Sequence, residues 1–217
     1  MPHSLIRGQI DLKTIKVVSW DVDGTLYSVQ RMKWWIVYLL TREVAAGRGA
    51  AAWRDLATLW RYRITIEEVR SRGGEIVDAL SAAERRLLLD AQQRWYGRAI
   101  ARAGARPGVR KVLDWFAAKR IPQVIVSDYD AVFKLELLRL GHYFTASYSG
   151  DRLGSVKPSP KSFARVAEDF KIEPRQLLHI GDRRDTDSVA AGNAGARCLI
   201  LGRDFVSFDV LAALLRE

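Results

Sequence analysis

The stretch Val17-Val18-Ser19-Trp20-Asp21-Val22-Asp23-Gly24-Thr25-Leu26 decides the reading of this 217-residue chain. A short run with β-forming character ends abruptly in two aspartates and a glycine. Such a run is a buried strand that delivers Asp21 to the loop at its carboxyl end. Gly24 lets the chain turn, so that Asp23, two residues on, can return to the same cavity. A carboxylate at a strand end can attack phosphorus and form an aspartyl phosphate. A second carboxylate beside it can protonate the leaving oxygen and then deprotonate the attacking water. The plainer alternative is that both aspartates end a strand and cap a turn.

The same pattern recurs downstream. Gln123-Val124-Ile125-Val126 ends at Ser127 and Asp128, and Leu177-Leu178-His179-Ile180 ends at Gly181 and Asp182. Helical patterns over Val109 to Lys119, Ala131 to Leu140 and Pro160 to Phe170 fall between these runs. Strand and helix thus alternate, which is the order of an α/β fold with a parallel sheet and crossover helices. Ligands of such sheets sit outside the carboxyl ends of the strands, where all three polar clusters lie. From about Ser28 to Gly104 the alternation stops, and a stretch rich in Ala, Leu, Arg and Trp predicts a helical insertion. Gly73-Gly74 divides it into two helical parts, and Pro107-Gly108 marks the return to the alternating core.

Each cluster offers distinct chemistry. The Ser127 hydroxyl can hydrogen-bond a phosphoryl oxygen, or simply cap the helix that follows. Lys157, set between Gly154 and Pro158, can hold a phosphoryl group and offset its repulsion from a carboxylate nucleophile, although most lysines are only solvated. Gly181-Asp182-Arg183-Arg184-Asp185-Thr186-Asp187 carries the hard oxygen donors that Mg²⁺ requires. Asp182 is the better direct ligand, Asp187 can act through water, and Asp185 reads as a helix cap.

In this order the four segments resemble the haloacid dehalogenase superfamily, whose pattern is Asp-x-Asp-Gly-Thr, a Ser or Thr at a strand end, a Lys, and a Gly-Asp motif with a further Asp. The likeness spans roughly residues 16 to 202 and includes Pro107-Gly108, Lys157-Pro158 and the run from Asp187 to Gly195. It points to the phosphatase branch with a helical cap, phosphoglycolate phosphatase-like in kind. The resemblance implies a Rossmann-like parallel-sheet core formed by residues 1–27 and 105–217, with residues 28–104 as an inserted α-helical cap domain. It implies Asp21 as nucleophile, Asp23 as acid and base, and Thr25, Ser127 and Lys157 as phosphate-binding groups. It also implies Mg²⁺ held by Asp21, the main-chain carbonyl of Asp23 and Asp182, with Asp187 a further metal candidate. The expected activity is Mg²⁺-dependent hydrolysis of a small phosphate monoester, with a phosphomutase on the same site as the alternative. A dehalogenase is disfavoured, because the resemblance implies that dehalogenases lack the second aspartate.

Bulk properties narrow the setting. A formal charge of +10 and a pI near 10.0 favour an anionic partner. Residues Arg31 to Arg106 hold fifteen Arg and Lys, against eight Asp and Glu. We read these as an arginine-rich solvated surface, and a nucleic-acid-binding module with a secondary site as the weaker alternative, since no nucleic-acid-binding motif is present. The five tryptophans of the insertion, Trp34, Trp35, Trp53, Trp60 and Trp95, are expected as packing residues. A single Cys198 between apolar neighbours predicts a buried strand thiol in a reducing, cytoplasmic setting. The first residues, Met1 to Arg7, lack the apolar segment of a signal peptide, and Trp34 to Leu40 is far too short to span a bilayer. The expected partner is a small phosphorylated metabolite, without membrane or nucleic acid, acting on a monomer or homodimer. His179 is expected to be satisfied within the core, and His142 exposed.

Overall fold

The computed structural model describes residues 12–76 and 81–216, so the Met1 to Arg7 stretch lies outside the described residues. Five strands, β1 (Val17–Trp20), β2 (Gln123–Ser127), β3 (Ala146–Ser149), β4 (Leu177–Gly181) and β5 (Arg197–Ile200), form a parallel sheet in the order β3-β2-β1-β4-β5. β1 is central and fully buried, which is why its apolar residues are continuous instead of alternating. Trp20 lies opposite both Ile125 and Ile180, so the three polar strand ends finish level at one edge.

The two faces of the sheet bury separate cores. On one, Val18, Trp20, Ile125 and Ile180 pack beneath α5 (Val109–Ala118) and α10 (Phe208–Leu214). Trp20 meets Phe116 edge-on at 6.3 Å and Phe208 at 6.0 Å, and its indole N–H donates to the Gln123 side chain at 3.1 Å. On the other, Val17, Val124, Val126 and Leu177 pack against Phe163 and Val166 of α8 (Lys161–Asp169) and against Ala190 and Ala191 of α9 (Val189–Asn193). The edge strand β3 is polar and only partly buried, so no apolar run announced it. Two short helices complete this part, α6 (Val132–Leu138) after β2 and α7 (Gly150–Leu153) after β3.

Between β1 and β2 the chain is helical. α1 (Val29–Ala45) starts at Ser28, whose hydroxyl accepts the Arg31 N–H at 3.3 Å, and α2 (Gly49–Ser71) follows a turn at Gly47. α3 (Ala82–Gln92) is fixed by a reciprocal Ser81–Glu84 cap and runs through a widened turn, Gln93–Gly97, into α4 (Arg98–Ala103). The insertion therefore breaks at Gly47 as well as at Gly73-Gly74, giving one helical pass more than expected. Ala52, Leu59 and Ile66 point inward from α2 at a seven-residue spacing. That register turns Trp53 and Trp60 outward, and Trp34 of α1 likewise faces solvent; they are 60%, 67% and 66% exposed. The expectation that the tryptophans pack internally holds for Trp95, and partly for Trp35, but not for these three. Cys198 is half-buried in β5, its thiol pushed up to about 12 by burial. His142 is exposed. No described helix is long and apolar enough to cross a membrane.

Candidate active site

Asp21 emerges from β1 almost fully buried, with its N–H bonded to the Ile180 carbonyl at 2.9 Å. Lys157 Nζ donates at 2.6 Å to Asp21 Oδ1 and at 2.6 Å to Asp187 Oδ1. Burial of the ammonium is unfavourable alone, but Asp187 and Asp21 outweigh it and hold Lys157 charged, well above its ordinary range. Burial raises the Asp21 carboxyl well above the usual carboxylate range; Lys157 opposes this, while Asp187 and Asp182 add to it.

Asp187 is committed on all sides. Its Oδ1 also meets His179 Nε2 at 3.3 Å, and its Oδ2 accepts the backbone N–H groups of Asp182 at 3.2 Å and Arg183 at 3.0 Å. Burial disfavours its charge, but Lys157 and His179 prevail and hold its carboxyl below the usual range. Asp187 thus fastens the loop that carries Asp182 and anchors Lys157. Gly181 is required beneath it, because a Cβ there would fall 2.5 Å from Asp187 Oδ2. His179 is fully buried, with Nδ1 at 3.0 Å from the Ser19 hydroxyl, as expected of a satisfied core histidine.

Asp182 is left short of partners. It has no ion pair among the described residues and accepts only the Thr25 hydroxyl at 3.4 Å, and burial and Asp187 push its carboxyl up to about 6. Oxygens of Asp21, Asp182 and Asp187 lie within 4.8 Å of one another, and Lys157 is the cation bonded among them, to Asp21 and Asp187. Three carboxylates around one lysine leave uncompensated negative charge, and a hard divalent cation fits that donor set. Gly24 passes so close that a Cβ would fall 2.1 Å from Asp182 Oδ2, and its φ of +98° is one that glycine adopts without strain.

The other sequence candidates divide. Ser127 is buried at the end of β2 and lines the cavity, with its hydroxyl unbonded among the described residues. Thr25, expected at the phosphate, is instead fully buried behind the carboxylates and donates to Asp21 Oδ2 at 3.1 Å; it does not line the cavity. Asp185 is an exposed partner of Arg183, at 2.6 Å. Asp23 lines the cavity, but its carboxylate is gripped by Lys134 Nζ at 2.7 and 2.6 Å and by the Tyr27 hydroxyl at 2.5 Å. Burial would raise its pKa; Lys134 outweighs that and lowers it.

Sequence reasoning missed Lys134, Arg70 and the role of Asp128. Lys134 sits in α6 on the buried side with Leu135 and Leu138, and a lysine on an apolar stripe is the signal that marks it. Asp128 Oδ1 accepts the Lys157 N–H at 2.8 Å, and its Oδ2 pairs with Arg70 of α2. Glu67 of α2 also reaches Arg183 at 3.4 Å, and Val156 N–H bonds the Gly74 carbonyl at 2.7 Å. The insertion is thereby tied to the loops after β2 and β4 and to the one that carries Lys157. A cavity of about 580 Å³ opens between them, with Asp21, Ser127 and Lys157 on one side and Leu59, Tyr62 and Tyr96 on the other.

The carboxylate cluster thus lies at the strand ends of a parallel α/β sheet beneath a helical insertion, where enzymes of this architecture hold their ligands. The chain belongs to the haloacid dehalogenase-like hydrolases, matching that family over residues 15–195. It is 30% identical over 200 residues to the phosphoglycolate phosphatase of Escherichia coli K12, covering 83% of this chain and 79% of that protein. A stretch of 98 residues is 35% identical to phosphoglycolate phosphatase 1 of Pseudomonas aeruginosa, covering 44% of this chain and 36% of that one. Similar solved structures include a predicted phosphoglycolate phosphatase from Haemophilus somnus, with TM-score 0.61, 18% identity and coverage of 92% and 98% of the two chains. A putative β-phosphoglucomutase from Thermotoga maritima gives TM-score 0.63 at 22% identity, covering 93% and 99%. The chain is an enzyme of the phosphatase kind.

Proposed function

We propose that the protein hydrolyses a small phosphate monoester by forming a phosphoryl bond to Asp21, in the cytoplasmic setting that its lone, half-buried thiol fits. The observation that carries this is the pairing of Asp21 with Lys157 at 2.6 Å beside the unbonded Ser127 hydroxyl, all lining one cavity. Lys157 lowers the repulsion between an incoming phosphoryl group and the carboxylate, and Ser127 is placed to donate to a phosphoryl oxygen. Mg²⁺ would be held by Asp21 and Asp182 with the Asp23 carbonyl, where it would neutralise the phosphoryl charge. Asp187 contributes charge and fixes the loop instead of ligating. Asp23, once released from Lys134, protonates the leaving oxygen and then activates water. In this reading residues 28–104 are the cap and residues 1–27 with 105–217 the core, and the cap side of the cavity selects the alcohol. The relatives make phosphoglycolate the first substrate to try.

The test is a screen of phosphorylated metabolites with Mg²⁺, scored by release of inorganic phosphate. Asp21→Asn should lose roughly 10⁴-fold or more in kcat with the fold intact. Conversion to an isomer without phosphate release would overturn hydrolysis, and near-normal turnover by Asp21→Asn would remove it as nucleophile.

A further inference from the structure

The α1–α2 hairpin has two different sides. One packs on the α3–α4 rod: Trp35 lies under Arg102 at 6.0 Å, Glu43 meets Arg98 at 3.3 Å, and Asp55 takes Arg94 at 2.9 Å and the Trp95 N–H at 3.1 Å. The opposite side is exposed and apolar. On α1 it presents Trp34, Val37, Tyr38 and Val44, and on α2 Trp53, Trp60 and Ile64, each set at helical spacing. α2 is thus apolar on two sides: Leu59, Tyr62 and Ile66 line the cavity, while Trp53, Trp60 and Ile64 face away from it.

Charge on this hairpin is one-sided too. Residues 28–71 contain eight cations and four acids, Glu43, Asp55, Glu67 and Glu68. Glu43 and Asp55 are spent on Arg48, Arg98 and Arg94, and Glu67 on Arg70 and Arg183, which leaves Glu68 as the one exposed acid with no cationic partner among the described residues. Arg31, Lys33, Arg42, Arg54, Arg61 and Arg63 are exposed and have no carboxylate partner among the described residues. By helical spacing, Arg54 and Arg61 border the α2 stripe on one flank, while Arg63 on the other flank turns toward the cavity that it lines.

We propose that this outer face of the hairpin docks on an anionic phospholipid surface. A second copy is disfavoured by charge, since two such faces would set five or more cations of each against the single free carboxylate of Glu68. A nucleic acid would engage the arginines but leave Val37, Val44 and Ile64 without apolar contact. A bilayer interface takes both: Trp and Tyr sit at headgroup level, aliphatic side chains reach the acyl boundary, and arginine stems extend to lipid phosphates. Contact of this kind lies in the plane of the surface and needs no spanning helix, so it departs from the sequence expectation that no membrane is involved.

The experiment is co-sedimentation of the full chain with phosphatidylcholine vesicles, with and without phosphatidylglycerol, together with tryptophan emission. Binding should require phosphatidylglycerol, blue-shift the emission and weaken with salt. Arg54→Gln/Arg61→Gln should weaken partitioning about 30-fold, and Trp53→Ser/Trp60→Ser should abolish it with an unchanged melting midpoint. No sedimentation, or equal sedimentation with both vesicles, overturns the proposal. A dimer in sedimentation velocity that Trp53→Ser/Trp60→Ser dissolves assigns the face to a second copy and equally overturns it. So does displacement from vesicles by an oligonucleotide that binds the same face.

Discussion

Asp182, as a ligand in the proposed site, would couple metal binding to stability, and the coupling has a calculable sign. In the folded chain its carboxyl rises from 3.8 to about 6, because burial and Asp187 disfavour the charge. At ~1.4 kcal/mol per pKa unit, the metal-free folded state carries a penalty of roughly 2 to 3 kcal/mol above pH 6 that the unfolded chain lacks. Since the folded state binds this proton more tightly, the penalty is relieved as pH falls from about 7.5 through 6, and it is gone once both states are protonated below about 4. His179 acts in the opposite sense, because its pKa is lowered by burial and the unfolded chain takes up its proton first. Asp182→Asn separates the two, since it removes the first contribution, together with the rise that Asp182 adds to Asp21, and leaves His179 in place. In urea unfolding with EDTA at pH 7.5, Asp182→Asn should be more stable than wild type by roughly 2 to 3 kcal/mol, and the difference should shrink by pH 5. Added Mg²⁺ should stabilise wild type at pH 7.5 by about 2.7 kcal/mol at a hundredfold excess over Kd, and the variant much less. Superimposable curves for the two proteins in EDTA at pH 7.5, or equal Mg²⁺ stabilisation of both, would refute the reasoning.

Three further outcomes follow from other contacts. Lys134→Met removes both bonds to Asp23, and because that carboxylate is about a third exposed the cost should be about 1–3 kcal/mol in urea midpoint terms. The same variant should move the alkaline limb of the kcat/KM profile upward, since the depressed Asp23 pKa is released; an unmoved limb removes Asp23 as the acid. Asp128→Ala strands Arg70 and the Lys157 N–H and should cost about 2–4 kcal/mol, with Asp128→Asn milder; equal effects would show that the charge alone matters. Native Cys198, its thiol pushed up to about 12, should react with iodoacetamide at pH 8 at least about 100-fold more slowly than in urea, and rapid native labelling would contradict that burial.

The strands bearing the motifs were legible because burial on both faces makes β1, β2 and β4 continuous apolar runs that stop at polar groups. β3 was not, since Ala146, Ser147 and Tyr148 at the sheet edge are only partly buried or exposed and need no such pattern. Asp21, Ser127, Lys157 and Asp182 were legible as strand-end or loop groups, each marked by local context. What escaped notice depends on partners far along the chain. Lys134 and Asp23 are 111 positions apart, Arg70 and Asp128 are 58 apart, and nothing local in either pair names the other. The direction of Thr25 was hidden for a related reason: its place in the motif is local, but its hydroxyl is turned to Asp21 and Asp182, which converge on it from different strands. The outward turn of Trp53 and Trp60 went unread because α2 is apolar on two sides, which hides which stripe is buried.

The two aspartates of the first motif sit two residues apart, yet their surroundings push their carboxyls in opposite directions. Asp21, the better nucleophile when ionised, is raised by burial and by two neighbouring acids. Asp23, which must carry a proton to act as an acid, is lowered by Lys134. In this state the preferences are the reverse of what the proposed reaction uses. Two changes set them right: a cation beside Asp21 and Asp182, and departure of Asp23 from Lys134. The second is tied to the insertion, because Lys134 is carried on α6, which packs on α4 and on the turn before it. A shift of the insertion that moves α6, or a rotation of Asp23 away from Lys134 and Tyr27, would therefore arm the acid only when the helices over the cavity have responded to what lies in it.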